Sequence, residues 1–168
     1  MNPPNVTNSP KPGAVVPGAV VIDANVLIAI CAKEQDKLVK AVTAFYDYAR
    51  RGWRFYAPGV LLAETLYILC GKLQSGSLAV PEHALALQLL HFYLPQISPP
   101  PTGDFSLVAR AEAIQQGYGC SRSADGIYIA LAEQLAQQGA TELLTFDQGI
   151  VNQAAKNAPT VKVNLLIP

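Results

Sequence analysis

The first compact block of hydrophobic positions is Ala19, Val20, Val21 and Ile22, a β-branched run that stops at Asp23. Four residues are too few for a helix, and unbroken apolar character suits a strand buried on both faces of a parallel sheet. From Val26 to Lys33 the pattern turns helical. Lys37 to Arg51 predicts a second helix, with Leu38, Val42, Phe45 and Ala49 on one face and charges opposite. Gly52 ends it, and RFYA predicts the next strand. Pro58–Gly59 then punctuates before a long apolar helix, VLLAETLYILCGKL. A QSGS loop leads to a further helix from about Pro81 to Tyr93, with proline suited to its first turn. The PQISPPPTGD segment has room for one short strand around Ile97. Helices are predicted from Phe105 to about Gln116 and from about Ser123 to Gln138, ended by Gly117 and Gly139. The strand ELLTF, a short helix near Gln148 to Lys156 and a last strand, VKVNL, complete the chain. Strands alternating with helices predict an α/β fold, a parallel sheet covered by helices on both faces. Residues 1–18, rich in Pro, Asn and Gly, predict a flexible tail, and 19–168 a single domain.

Composition narrows the function. The hydrophobic fraction, 51%, is ample for one core in 168 residues and excludes a disordered or collagen-like chain. Charged residues make up only 14%, against about 25% in an average domain. Each acid is therefore worth locating. Twelve Lys+Arg balance twelve Asp+Glu, which argues against a strongly basic nucleic-acid coat but leaves room for a local basic patch. Cys31, Cys70 and Cys120 stand far apart without a CxxC pair, so neither a disulfide framework nor a zinc site is expected. The most apolar early stretch, Gly13 to Ala32, is broken by Pro17, Asp23 and Asn25, and the first residues lack the basic start of a signal peptide. A soluble, cytoplasmic protein, with no membrane partner, is the expectation.

Four acids fall where a solvating charge is out of place. Asp23 follows the strand AVVI, and Asp147 lies just past LLTF. Glu64 sits inside a helix that is apolar on almost every side, and Asp125 opens the helix whose apolar stripe is Ala124, Tyr128, Leu131, Ala132 and Leu135. In a parallel α/β sheet, residues just past the carboxyl ends of strands share one edge, where such folds place their sites. Four carboxylates converging there would repel one another and resist ionisation. A divalent cation removes the conflict, and Mg²⁺ or Mn²⁺ takes such hard oxygen ligands. A carboxylate-held ion with open positions suits phosphodiester hydrolysis. Simpler roles exist for each acid. Asp125 could cap its helix, with Ser121 and Ser123 as rivals; Asp147 could be a turn residue and Asp23 a cap. Glu64 resists a bland account most, since a mid-helix Glu among apolar neighbours needs a partner. Asp104, after Thr102–Gly103, reads as an N-cap, and Glu142 among other acids as a solvated or helix-end charge.

The order VVIDANVLIA at 20–29, a proline before the apolar helix carrying Glu64, SRSADGIYIALAEQLA at 121–136 and LLTFDQGI at 143–150 resembles the PIN-domain nucleases. Within them it is similar to the VapC-like toxin subunits of type II toxin–antitoxin pairs. Successive acids are separated by 41, 61 and 22 positions. The resemblance implies a Rossmann-like, PIN-like sheet, a homodimer, and Mg²⁺- or Mn²⁺-dependent endoribonuclease cleavage of RNA. It implies that Asp23, Glu64, Asp125 and Asp147 form the acidic quartet, flanked by Asn25 and Thr145 as supporting polar residues. An antitoxin partner would occupy the acidic cleft and bring an Arg toward the carboxylates. Gly126 stands where Ala is usual after the third acid, and Gln148 where a basic residue is common after the fourth. For substrate phosphates the clearest cations are Arg50, Arg51 and Arg54, with Lys33, Lys37 and Lys40 nearby, although solvated helix charges would look the same. Two rivals remain: a PIN-like domain that binds RNA or protein without cutting, and a stand-alone RNA-processing nuclease. A phosphotransfer receiver would need an acidic pair after the first strand, which is missing.

Overall fold

The computed structural model describes residues 17–120 and 124–168; most of the expected tail and Ser121 and Ser123 lie outside them. Five strands form one parallel sheet: β1 (Ala19–Ile22), β2 (Arg54–Tyr56), β3 (Ile97–Ser98), β4 (Thr141–Thr145) and β5 (Lys162–Leu165). Their spatial order is β3-β2-β1-β4-β5. The helices are α1 (Ala24–Cys31), α2 (Gln35–Arg50), α3 (Val60–Gln74), α4 (Val80–Tyr93), α5 (Val108–Gly117), α6 (Asp125–Ala136) and α7 (Gln148–Asn157). The α/β class and the parallel sheet are as the hydrophobic pattern predicts.

β1 is the central strand, pairing with β2 from Ala19↔Arg54 and with β4 through Ile22↔Leu144. Its side chains alternate between two cores, as strand geometry requires. Val20 and Ile22 pack with Ala41, Phe45 and Tyr48 of α2, where the Phe45 and Phe55 rings stack 4.1 Å apart. Val21 faces the larger core built from α1 and α3 to α7. At the start of the sheet, Gly18 lies under Trp53, whose ring would come within 2.4 Å of an added Cβ. A side chain at this entry to β1 would have to displace the Trp53 ring.

Several elements depart from expectation. α1 begins at Ala24 rather than Val26, because Asp23 already stands in the extended conformation of an N-cap residue. The helix predicted from Phe105 starts as a 3₁₀ turn, Asp104–Leu107, before α5. Asp104 does not cap its own helix. Its Oδ1 accepts from the backbone N–H of Gly59, the N-cap residue of α3, at 3.0 Å, tying the two elements together. Glu142 is not a solvated charge: it is buried, bonded by the Tyr48 hydroxyl and paired with Lys162 Nζ at 2.6 Å. No helix among the described residues is long and apolar enough to cross a membrane.

Candidate active site

The chain builds outward from β1 to β2 and β3, then returns to lay β4 on the other side of β1. The carboxyl ends of β1 and β4 thus flank the point where strand order reverses, the crevice in which open α/β sheets bind ligands. Asp23 leaves β1 there and Asp147 follows β4 by two residues.

Asp23 sits at the N-cap position of α1, yet its carboxylate makes no capping bond. It accepts instead from the Thr145 hydroxyl at 2.6 Å and from the Asn25 amide. The Thr145 oxygen in turn accepts from Asn25 Nδ2 at 3.1 Å and from the Asp147 backbone N–H at 2.9 Å. Both those neighbours are donors, so the hydroxyl proton must point at Asp23. The Phe146 N–H donates to Asn25 Oδ1 at 3.0 Å, which settles the orientation of the amide. Burial is the largest influence on Asp23 and pushes its pKa up to about 7; the Thr145 bond opposes this, while the charges of Asp125 and Glu64 reinforce it.

Glu64, the sixth residue of the stretch GVLLAET after Pro58, is half-buried on α3 and accepts from the Tyr128 hydroxyl of α6 at 2.6 Å. Burial first, and the bond to Glu64 next, keep Tyr128 protonated. Asp125 opens α6, half-buried, and acts on Asp23 through its charge. Asp147 is exposed, and its Oδ1 caps α7 by accepting from the Gly149 N–H at 2.6 Å. Asp23, Glu64 and Asp125 therefore share one electrostatic environment, while Asp147 is held at its rim by a capping role.

Beside these acids lies a cleft of about 400 Å³ lined by Asp23, Asn25, Glu64, Lys37, Tyr67 and their neighbours. Lys37 was set among the flanking cations by sequence; here it faces the acids directly. Glu34 holds it at 3.3 Å and Lys72 at 2.8 Å. Burial acts against the Glu34 charge, but the bonds to the two lysines keep its carboxyl below the usual range. Arg50, Arg51 and Arg54 lie elsewhere. α2 descends from the acidic edge to the start of β2, so the three arginines sit toward the opposite edge of the sheet. Tyr128 and Glu34 escaped the sequence reading. Tyr128 was counted as core, and only the pairing of α6 with α3 brings its hydroxyl to Glu64.

Among the described residues no three acids, histidines or cysteines close into a ready-built metal cage. The charged groups acting on Asp23 are nonetheless the carboxylates of Asp125 and Glu64, which add to the burial that raises its pKa. That donor set fits a hard divalent cation.

Gly126 has a packing reason. A Cβ there would meet the Ala111 carbonyl of α5 at 2.8 Å, so α6 can approach α5 only with glycine beside Asp125.

No curated protein matches the chain. Among solved structures it is similar to VapBC2 from Rickettsia felis bound to a DNA fragment from its promoter. The likeness has a TM-score of 0.56 at 12% identity and covers 88% of this chain and 98% of that one, which shows a shared fold. The PIN-domain family model matches residues 20–156, and with it the whole stretch from β1 into α7, so the chain belongs to the PIN-domain family.

Proposed function

We propose that this protein is a metal-dependent endoribonuclease and, among PIN domains, a toxin of the VapC kind. PIN domains are in general nucleases that use divalent metals. The observation that carries the reading is the Asp23 carboxylate, buried at the reversal point of the sheet under the charges of Glu64 and Asp125. Asp23, Glu64 and Asp125 would hold Mg²⁺ or Mn²⁺, with Asp147 at the rim completing the quartet. The bound ion would supply a more acidic water and a counter-charge to the phosphate as negative charge builds on it.

The remaining work falls to the chain itself. Thr145 and Asn25 hold one face of the Asp23 carboxylate, fixing which lone pairs it offers. Tyr128 does the same for Glu64. Lys37, restrained by Glu34, stands in the cleft where a substrate phosphate would lie. For the toxin role, support comes from the VapBC2 fold and from apolar side chains left exposed beside the cleft. Tyr67 and Ile68 line the cleft, and with Leu62 and Leu66 of the same helix they give an antitoxin or a second copy a surface to cover.

The test is cleavage of a labelled structured RNA pool with Mg²⁺, Mn²⁺ or EDTA, wild type beside Asp23→Asn and Asp125→Asn. Cutting should need the metal and fall by about 10³-fold or more in either variant, since removing a metal-holding acid removes the ion's whole contribution. Cutting that survives in the folded double variant would sink the assignment.

A further inference from the structure

Lys37, Lys40, Ala44, Asp47 and Arg51 recur at intervals of three or four residues, so they share one face of α2 and its end. That face joins two recesses. At its start Lys37 lines the acidic cleft. One turn on, Lys40 opens a larger groove of about 600 Å³, which runs between α2 and the edge strand β5, past Tyr48, Asn164 and Leu166. The groove ends at Arg51, whose guanidinium carbon lies 4.3 Å from the centre of the Tyr48 ring and 4.5 Å from that of Trp53. Arg50 is occupied by Asp47 at 3.1 Å, and Glu142 behind Tyr48 is matched by Lys162. Among the described residues Lys40 and Arg51 enter no ion pair, although the Lys40 ammonium donates to the Ile167 carbonyl and the Arg51 charge is felt by Glu142.

On a chain of zero net charge, residues 33–54 hold six cations (Lys33, Lys37, Lys40, Arg50, Arg51 and Arg54) against three acids (Glu34, Asp36 and Asp47). Half of all the cations thus lie along one helix and its flanks. From Lys37 to Arg51 the helix climbs about 21 Å at 1.5 Å per residue.

We propose that this face is a track for single-stranded RNA continuing out of the acidic cleft. Lys40 and Arg51 engage phosphates, Arg54 lies at the far end, and the flat guanidinium of Arg51 offers a base a surface to stack on. The identity of the polymer rests on the ribonuclease reading; the track itself rests on the placement of the cations. An RNA strand is favoured over an acidic protein because the first cation of the groove, Lys40, stands one turn along α2 from Lys37 in the proposed cleavage site.

The experiment measures RNA binding by fluorescence anisotropy in EDTA, with labelled oligoribonucleotides of about 20 and about 5 nucleotides. Lys40→Ala, Arg51→Ala and their combination are compared with Lys156→Ala, which lies on α7 away from the groove. Each lost phosphate contact lowers the salt slope of single-strand binding by about 0.7, so the double variant should lose about 1.4 and bind the longer RNA about tenfold more weakly. The shorter RNA should suffer less, and Lys156→Ala should match wild type. Lys40→Ala leaves the Arg51 stack intact, so its effect stands even if Arg51→Ala loosens the fold. Unchanged binding of the long RNA by both single variants, in a wild type that cuts RNA, overturns the track and leaves the nuclease standing. Weakened binding in a protein that no metal makes active upholds the track and fails the nuclease. Variants that lose an acidic protein partner but keep RNA binding also overturn the track.

Discussion

At the scale of single residues, Asp23 concentrates the tension in this molecule. Its pKa in the fold, about 7, lies above the ordinary carboxylate value, so the unfolded chain ionises first. Folding must then bury a charge, and stability is lost progressively from about pH 4 and in full above about pH 7. Asp23→Asn removes that cost while keeping a group able to bond Thr145. In EDTA at about pH 8 the variant should melt on the order of 5 °C or more above wild type, with the gap closing toward about pH 4. Added Mg²⁺ should raise wild type alone. Equal melting curves at both pH values would contradict this account. Thr145→Val deletes the larger of the bonds that draw the Asp23 pKa down. Metal affinity should fall by about 10- to 100-fold and the pH profile of cleavage should move upward, readouts that a purely structural role would leave in place.

At the scale of elements, the sheet edge and the helix contacts decide where side chains point. β1, β4 and the helices between them could be read from periodicity, because runs such as AVVI and ELLT are β-branched or leucine-rich and bounded by turn residues. The placing of Asp23 and Asp147 at one edge followed from the same reading, since a parallel sheet aligns its carboxyl ends, whereas Asn25 and Thr145 came only with the family resemblance. What could not be read depends on contacts between distant elements. Asp104 looked like a local cap, yet its carboxylate reaches Gly59 across the chain. Glu142 looked like a surface charge because an acid opening a strand is usually solvated, but Tyr48 of α2 and Lys162 of β5 enclose it. Burial opposes the Glu142 charge, and the bonds from Lys162 and Tyr48 prevail and lower its pKa. Its contribution is therefore present above the usual carboxylate range and lost as acid takes the pH below it. Glu142→Gln should accordingly cost stability at neutral pH and little at about pH 3, measured by urea titration. Gly126→Ala tests the α5–α6 approach. Overpacking of this kind costs about 1–3 kcal/mol, and the displaced α6 should carry Asp125 with it, lowering cleavage more than RNA binding.

At the scale of the whole molecule, zero net charge conceals a division of labour. Acids gather at the carboxyl edge of the sheet, and cations spread along α2 toward the opposite edge. Sequence placed the three arginines near the substrate without saying which edge they occupy, because that follows only from the direction in which α2 returns to β2. On the proposed RNA track, the separation would make capture sensitive to ionic strength at a distance from the acids. Raising salt should therefore raise KM for long RNA steeply while kcat changes little; a kcat that falls in parallel would place the cations at the reacting phosphate instead.

The return of the chain to β4 also has a temporal side. Asp23 and Thr145 lie 122 residues apart, and the hydroxyl that orients the carboxylate is among the last parts of the sheet to be synthesised. At about 5–20 residues per second, a nascent chain spends roughly 6–24 s after making Asp23 before Thr145 exists. Throughout that interval the polypeptide, still tethered to a ribosome and its messenger, has its first acid without the strand that shapes it. On the proposed nuclease reading, the site stays incomplete beside the RNA that encodes it until β4 has been made.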